Sequence, residues 1–291
     1  MDAAHPTNDV QMALWNGPAG CAWVESQALL DQVLRPFEDL LVGAVPAGRG
    51  GRVLDVGCGT GSTTLAVARR LGPNGSCTGI DISEPMIAAA RARAEREATA
   101  ASFLQGDAQI HAFEPAVFDL IISRFGVMFF DDAVQAFGNL RRAANDEASL
   151  RFIAWRSAAE NPFMTTAERA AAPLLPDLPV RRPDGPGQFA FADRQRIYSI
   201  LEESGWVDVD VRPIDIVCTM LEKELVPYLT RLGPVGLILR EADERTRTQV
   251  VETIRAAFDP YVHGAEVRFT AACWVVSARA RAVAANTGHP Y

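Results

Sequence analysis

The sequence predicts an α/β fold: a Rossmann-like, doubly wound, mainly parallel sheet of seven strands, with an N-terminal helical cap and a C-terminal helical lid insertion. Three observations predict it. Short apolar runs alternate with helical patterns between about residues 52 and 155. The connections are too short for a strand to fold back on its neighbour. The first run, Arg52–Val56, leads straight into Gly57-Cys-Gly-Thr-Gly61 and then into a helical pattern.

The elements follow in order. Residues 1–20 carry Pro6, Gly17, Pro18 and Gly20 and read as an irregular arm. From Ala22 to about Val45 the pattern is helical, because Leu30, Val33, Leu34, Phe37 and Leu41 recur every three or four positions. Arg52–Val56 is the first strand, Ser62–Leu71 a helix and Cys77–Ile80 a second strand closing on Asp81. Glu84–Arg96 is a helix with Pro85 at its tolerant first turn. Ala101–Leu104 and Val117–Ser123 are further strands. Asp131–Ala144 is a helix and Leu150–Trp155 the fifth strand. Arg156–Phe191 holds prolines at 162, 173, 176, 179, 183 and 186, and reads as a long loop with one helix around Thr165–Ala172. Asp193 caps a helix closed by Gly205. Trp206–Val217 is a strand, Glu222–Phe258 two helices, and Val267–Ser277 the last strand. The chain divides at residues 1–48 (cap), 49–156 (ligand-binding core) and 157–291 (completion of the sheet, with a helical insertion at about 219–262).

Composition narrows the function. The chain has 291 residues, 48% hydrophobic and 22% charged, with a net charge of -8. That balance disfavours a nucleic-acid partner, which needs a basic face. No apolar run approaches the ~20 residues that span a bilayer, and the N-terminus has no signal-peptide pattern. A cytoplasmic protein is expected, as a monomer or homodimer. The five cysteines are scattered, with no CxxC pair, so no metal site is expected.

The chemistry is concentrated at three strand ends. Glycines at alternate positions let the backbone take positive φ and approach a ligand closely. Asp55 would repel a pyrophosphate but can accept hydrogen bonds from an ammonium group, so the ligand is expected to be a zwitterionic or cationic nucleoside. Asp81 can accept ribose hydroxyls, and Asp107 an adenine amino group.

With Trp15-Asn-Gly-Pro-Ala-Gly20, Asp81-Ile-Ser-Glu-Pro-Met86, Gly106-Asp-Ala-Gln109, Phe118–Phe130, Phe189-Ala-Phe-Ala192 and Trp274, this pattern resembles the class I S-adenosylmethionine-dependent methyltransferases that act on small molecules. The resemblance implies roles. Asp55, Gly57, Cys58, Gly59 and Gly61 would line the methionine part of S-adenosylmethionine. Cys58 would contribute its backbone N–H. Asp81 would hold the ribose, Ile82 and Met86 would flank the adenine, and Asp107 and Ala108 would meet its edge. Ser123, Arg124 and Phe125 would lie near the sulfonium. Trp15 and Trp23 would cap the site as a lid, and Met128 and Phe129, with Phe125 and Phe130, would shape an apolar acceptor pocket. His263 is the candidate general base, and His111 packs or caps. Arg124 binds an acidic acceptor, orients the lid or forms a structural ion pair. The expected reaction is in-line transfer of a methyl group, with O-methylation favoured over N or C, to a small-molecule acceptor, leaving S-adenosylhomocysteine without a metal. A nicotinamide-dependent oxidoreductase and a non-catalytic methyltransferase-like binding protein are the alternatives. One departure is Ala143-Ala-Asn-Asp-Glu-Ala148, where such enzymes carry a Pro-Gly-Gly turn.

Overall fold

The computed structural model describes residues 8–48, 50–179, 181 and 185–281. The first seven residues of the expected arm, and Pro183, lie outside them. The sheet order is β3-β2-β1-β4-β5-β8-β6, formed by β1 (Gly51–Val56), β2 (Gly75–Asp81), β3 (Ala101–Gln105), β4 (Phe118–Arg124), β5 (Ala144–Trp155), β6 (Trp206–Leu221) and β8 (Glu266–Ala280). A two-residue strand, β7 (Val262–His263), pairs with β8 beside this path, so the expected seven strands gain an eighth. The pairs among β1–β5 are parallel, and β8 runs antiparallel to both β5 and β6.

β1 lies between β2 and β4, where the winding direction reverses. In open α/β sheets the crevice beyond the strand C-termini at such a point is where ligands bind. The helices that cover the sheet are amphipathic where the sequence said they would be. In α3 (Gln27–Gly43), Leu30, Val33, Leu34, Phe37 and Leu41 are all buried. α4 (Ser62–Leu71) matches its expected bounds, and α5 (Glu84–Glu97) starts from Ser83, whose hydroxyl accepts from Met86 N. α6 (Ala133–Ala143) and α8 (Arg194–Glu203) are capped by the Asp132 and Asp193 carboxylates. The indole of Trp206, wholly buried, donates to the Phe137 carbonyl at 3.0 Å and ties β6 to α6.

Three expectations are corrected. The N-terminal arm is not irregular: Asp9–Asn16 is α1 and Pro18–Glu25 is α2, separated from α3 at Ser26. Pro18 sits at the start of α2, where its missing N–H costs nothing, so the Gly-Pro pair marks a helix start. The stretch Glu222–Phe258 holds three helices, α9 (Glu222–Arg231), α10 (Gly233–Leu239) and α11 (Glu244–Ala257), because Gly233 at φ +72° breaks the run and Pro234 restarts it. Finally, the fifth strand begins well before Leu150: β5 leaves α6 directly at Ala144 through the segment that departs from the family's turn, and Asn145 Nδ2 donates to Asp119 Oδ1 at 2.6 Å where its pairing with β4 is irregular.

In the long segment after β5, Pro162–Ala171 forms α7. Its entry is stitched to β8. Arg156 N donates to Ala272 O at 3.0 Å, and buried Asn161 pairs with Ala272 through Nδ2–H to O and N–H to Oδ1, each 2.9 Å.

Candidate active site

Two clefts meet at the C-terminal ends of the strands. The first, of about 950 Å³ and open to solvent, is lined by the β1 turn, the β2 and β3 ends, the segment after β4 and the N-terminal helices.

The β1 turn has no freedom to change. Gly57 has φ +68°, and a Cβ there would stand 2.6 Å from Gly126 Cα. Only glycine combines that φ with that approach. Gly57 N and Cys58 N both donate to Ile80 O, at 2.9 and 3.1 Å. Cys58 therefore spends its N–H on β2, contrary to expectation. Burial pushes its thiol well above the ordinary range, which removes it as a nucleophile. Cys58 still lines the cleft, whereas Gly61 does not: it is the left-handed cap of α4, and its missing side chain makes room for Phe103. At Gly59 a Cβ would meet only Met86 Sδ, at 3.7 Å, so the backbone there is open to a ligand.

Asp81 accepts Gly59 N–H at Oδ2 (2.8 Å) and Ser83 N–H at Oδ1 (2.9 Å). A carboxylate offers about four lone-pair sites, so about two remain toward the cleft that it lines. Burial raises its pKa, and these two N–H groups act against the rise. Asp107 caps its own turn by accepting Gln109 N–H at 2.9 Å, and Ile82, Met86, Gly106 and Ala108 complete that end.

Asp55 lies just beneath the turn, buried and outside the lining. Thr64 Oγ1 donates to its Oδ2 at 2.6 Å, while Oδ1 has no partner among the described residues. Burial drives its pKa up to about 6, against the pull of Thr64 and Arg124. Arg124, on the cleft wall, has its own pKa lowered by burial and sustained by Glu38, Asp31 and Asp55. This group of charges beside the β1 turn was only half foreseen. Asp31 and Glu38 sit on α3 among residues that read as plain core, and no spacing marked them. Asp31 pairs with Arg93 at 3.0 Å, and Glu38 accepts from Ser62 Oγ.

Ser123 is not a ligand-facing residue. Its hydroxyl donates to Val56 O at 2.7 Å and accepts from Gly126 N and Val127 N, pinning the end of β4 to β1. Phe125, which follows, holds φ +64°, a conformation an aromatic side chain rarely adopts. Its ring stacks on Trp155 at 4.4 Å and lines both clefts.

The N-terminal helices close the first cleft. Trp15 lines it and touches Trp23 (5.9 Å) and Phe129 (5.3 Å) edge-on. Ser83 Oγ donates to Trp15 O at 2.7 Å, Asn16 Nδ2 to Ile82 O at 3.0 Å, and Glu84 N to Asn16 Oδ1 at 2.8 Å. A Cβ on Gly20 would lie 1.9 Å from Trp15 O, so the glycine lets α2 cross that latch. Asn8 and Gln11 also line the cleft and carried no signal in the sequence.

The second cleft, of about 1020 Å³ including open space, shares Trp23, Leu30, Leu34, Phe125 and Phe129 with the first. Met128 lines it. Most of the rest of its wall comes from α7, α9, α10 and β8, with Arg181 and Gln188 from the loop after α7, and Phe163 stacks on Phe269 at 3.7 Å. His263 lines neither cleft; it is exposed on β7, and its expected role as base is withdrawn. His111 packs edge-on against Phe113 at 4.6 Å. Among the described residues no group of three or more His, Cys, Asp or Glu is placed to hold a metal ion, and no helix is long and apolar enough to cross a membrane.

Comparison with known proteins places this geometry. Residues 53–147 match the family model of a methyltransferase domain. Over 102 residues the chain is 37% identical to nocamycin O-methyltransferase of Saccharothrix syringae, covering 35% of this chain and 36% of that protein. Over 88 residues it is 41% identical to aklanonic acid methyltransferase DauC of a Streptomyces species, covering 30% and 40%. The matches thus span well under half the length of these curated relatives. The fold resembles the crystal structure of YcgJ from Bacillus subtilis, with a TM-score of 0.57 at 16% identity, covering 85% of this chain and 99% of that one. With its strand order, its glycine turn and the acids at its strand ends, the chain carries over residues 53–147 a methyltransferase domain that resembles those of the class I S-adenosylmethionine-dependent enzymes.

Proposed function

We propose that the protein transfers a methyl group from S-adenosylmethionine to an oxygen of a small, largely apolar acceptor. The observation that carries this reading is the shared wall: one cleft with nucleoside-type polar groups opens onto a second, apolar one across Phe125 and Phe129. The names of the two curated relatives support a small-molecule acceptor.

The residues fit the cofactor. The unpartnered Asp55 Oδ1 and the acids Asp31 and Glu38 favour an ammonium group, while Arg124 favours a carboxylate. The open lone pairs of Asp81 suit ribose hydroxyls, and Asp107 and Ala108 suit the adenine edge. When bound, S-adenosylmethionine supplies an electrophilic methyl group on its sulfonium.

The chain's own contribution is positioning and exclusion of water. Phe125, fixed by Trp155 and Phe37, sets the boundary between the two ligands. Trp15, Trp23 and Phe129 cover it. No free base lines the acceptor cleft among the described residues. Glu168 is committed to Arg181, and burial holds the Tyr228 phenol neutral by raising its pKa to about 12. An acceptor hydroxyl acidic enough to ionise by itself matches that wall, and this favours O-methylation. We further propose residues 1–48 as the cap, 49–156 as the cofactor core and the insertion at about 219–262 as the acceptor wall.

Calorimetric titration tests the reading. S-adenosylmethionine and S-adenosylhomocysteine are expected to bind in the micromolar range, and NAD or NADP far more weakly. Equal or tighter NAD binding would overturn it. Radiolabelled methyl transfer to a panel of phenolic, enolic and carboxylic acceptors separates turnover from mere binding.

A further inference from the structure

We propose that Arg181 is a specificity-determining residue that reads a neutral carbonyl oxygen on the acceptor. The inference rests on the second cleft being the acceptor site.

Among the described residues that cleft carries charge at one place only. Arg181, Glu168 and Gln188 line it together, surrounded by Phe163, Met164 and Ala167 among others. The guanidinium is held on three sides. Nε donates to Glu168 Oε2 at 2.7 Å and Nη2 to Glu168 Oε1, while Nη1 donates to Gln188 Oε1 at 2.6 Å. Its face lies over the Phe189 ring, 5.1 Å from the centroid. The backbone beneath is fixed too, because Gly187 N donates to Met128 O at 3.0 Å.

A guanidinium carries about five N–H groups in a rigid fork. The three bonds above leave two without a partner among the described residues. An unfilled donor beside an apolar wall calls for an oxygen from the ligand. The chemistry of that oxygen follows from Glu168, which already neutralises the arginine. A second carboxylate would bring an uncompensated negative charge into a half-buried, apolar site. A ketone, quinone or ester oxygen takes the same two donors without that cost. Among the described residues nothing else on this wall offers a charged donor, since Tyr228 and the indoles of Trp23 and Trp155 are neutral and the remaining lining is hydrocarbon, sulfur or amide. The fixed fork therefore orients a flat carbonyl compound across the cleft toward Phe125.

Three naphthalenes of one shape test this: 2-acetylnaphthalene, 2-ethylnaphthalene and 2-naphthoate. Their binding to the full chain is followed by tryptophan fluorescence, with and without S-adenosylhomocysteine. In the wild type, 2-acetylnaphthalene should bind about tenfold tighter than 2-ethylnaphthalene, as expected for a hydrogen bond to a charged donor, and tighter than 2-naphthoate. Arg181→Met should erase the first difference and leave 2-ethylnaphthalene within about threefold of wild type. Should Arg181→Met melt, Arg181→Lys decides, because one ammonium cannot serve Glu168 and Gln188 and still present a fork. Its preference for the ketone should fall by at least about threefold. An unchanged preference in either variant, tightest binding of 2-naphthoate by the wild type, or no binding of any probe would overturn the proposal. Titration of S-adenosylhomocysteine alone reads the methyl-transfer proposal separately. Its failure would sink that reading and leave the naphthalene comparison standing.

Discussion

The first cleft draws much of its lining from consecutive strand ends between Val56 and Phe130, whereas the second gathers residues from Trp23 to Phe269. The first is made of tight turns, acids and committed backbone N–H groups. The second is made of apolar side chains on helices that enter from four separate parts of the chain. In the first, one misplaced atom breaks a turn that has no slack, as at Gly57 against Gly126. In the second, side chains pack on one another and can exchange volume. Damage to the first should therefore be steep and specific to cofactor, and damage to the second shallow and specific to acceptor.

Gly57→Ala is the severest way to break that contrast. The new Cβ collides with Gly126 at a φ that disfavours any side chain. Affinity for S-adenosylhomocysteine should fall by roughly two orders of magnitude or more, read by calorimetry. A loss under tenfold would mean that the turn has the slack denied to it here.

Asp55 sharpens the comparison through pH. Its folded-state pKa of about 6 exceeds the ordinary 3.8. Below pH 3.8 both folded and unfolded forms are protonated and the group costs nothing. Between 3.8 and about 6 the unfolded chain releases a proton that the fold retains, so stability falls as pH rises. Above that the cost is constant, of order 3 kcal/mol for this fully buried carboxyl. Asp55→Asn should therefore gain stability over wild type as pH rises from 4 to 7, while binding S-adenosylhomocysteine more weakly. A melting difference that stays flat with pH would show that Asp55 remains ionised throughout.

Asp81→Ala comes next. Loss of charge-assisted bonds to ribose should cost about 1.5–3 kcal/mol of cofactor affinity. The melting point should drop as well, because Gly59 N–H and Ser83 N–H lose their acceptor. Unchanged affinity would remove Asp81 from the ribose site.

On the acceptor side, Phe163→Leu should raise the acceptor KM only several-fold, about 1 kcal/mol for a lost ring contact, and leave S-adenosylhomocysteine affinity unmoved. A change in both would join the two clefts energetically and end the contrast.

The same contrast explains what could be read from the sequence. Strand bounds from β1 to β4, the cap Asp193, and the first-cleft residues Gly57, Asp81, Met86, Asp107 and Phe125 are local features, set by a strand, a glycine turn and a helix start within a few residues. Ser123 and Gly61 sat in the right segment, but whether a side chain faces a ligand or a neighbouring strand is a tertiary fact. Asp31, Leu30 and Leu34 fell on a helix face that reads as core, and two of the three are core as well as wall. The arm was misread because Gly17 and Pro18 interrupt helices only eight residues long, too short for periodicity to assert itself. His263 looked placed for catalysis by its position before the last strand, and the β7–β8 turn instead presents it to solvent. Arg181 and Tyr228 had no signal at all, since only the packing of α7 and α9 beside β8 brings them together.

Asn161 bears on how such a protein changes over generations. Its side chain mimics a strand segment against Ala272 and anchors the start of α7 to the antiparallel edge of the sheet. The α7 residues Phe163, Met164, Ala167 and Glu168 line the second cleft and not the first. On the proposed reading, a lineage that rewrites Phe163, Met164, Ala167 and Glu168 changes its acceptor and leaves the lining of the first cleft as it was. Change at Asn161 instead unfastens the start of that helix from the sheet edge, so drift there costs the whole arrangement.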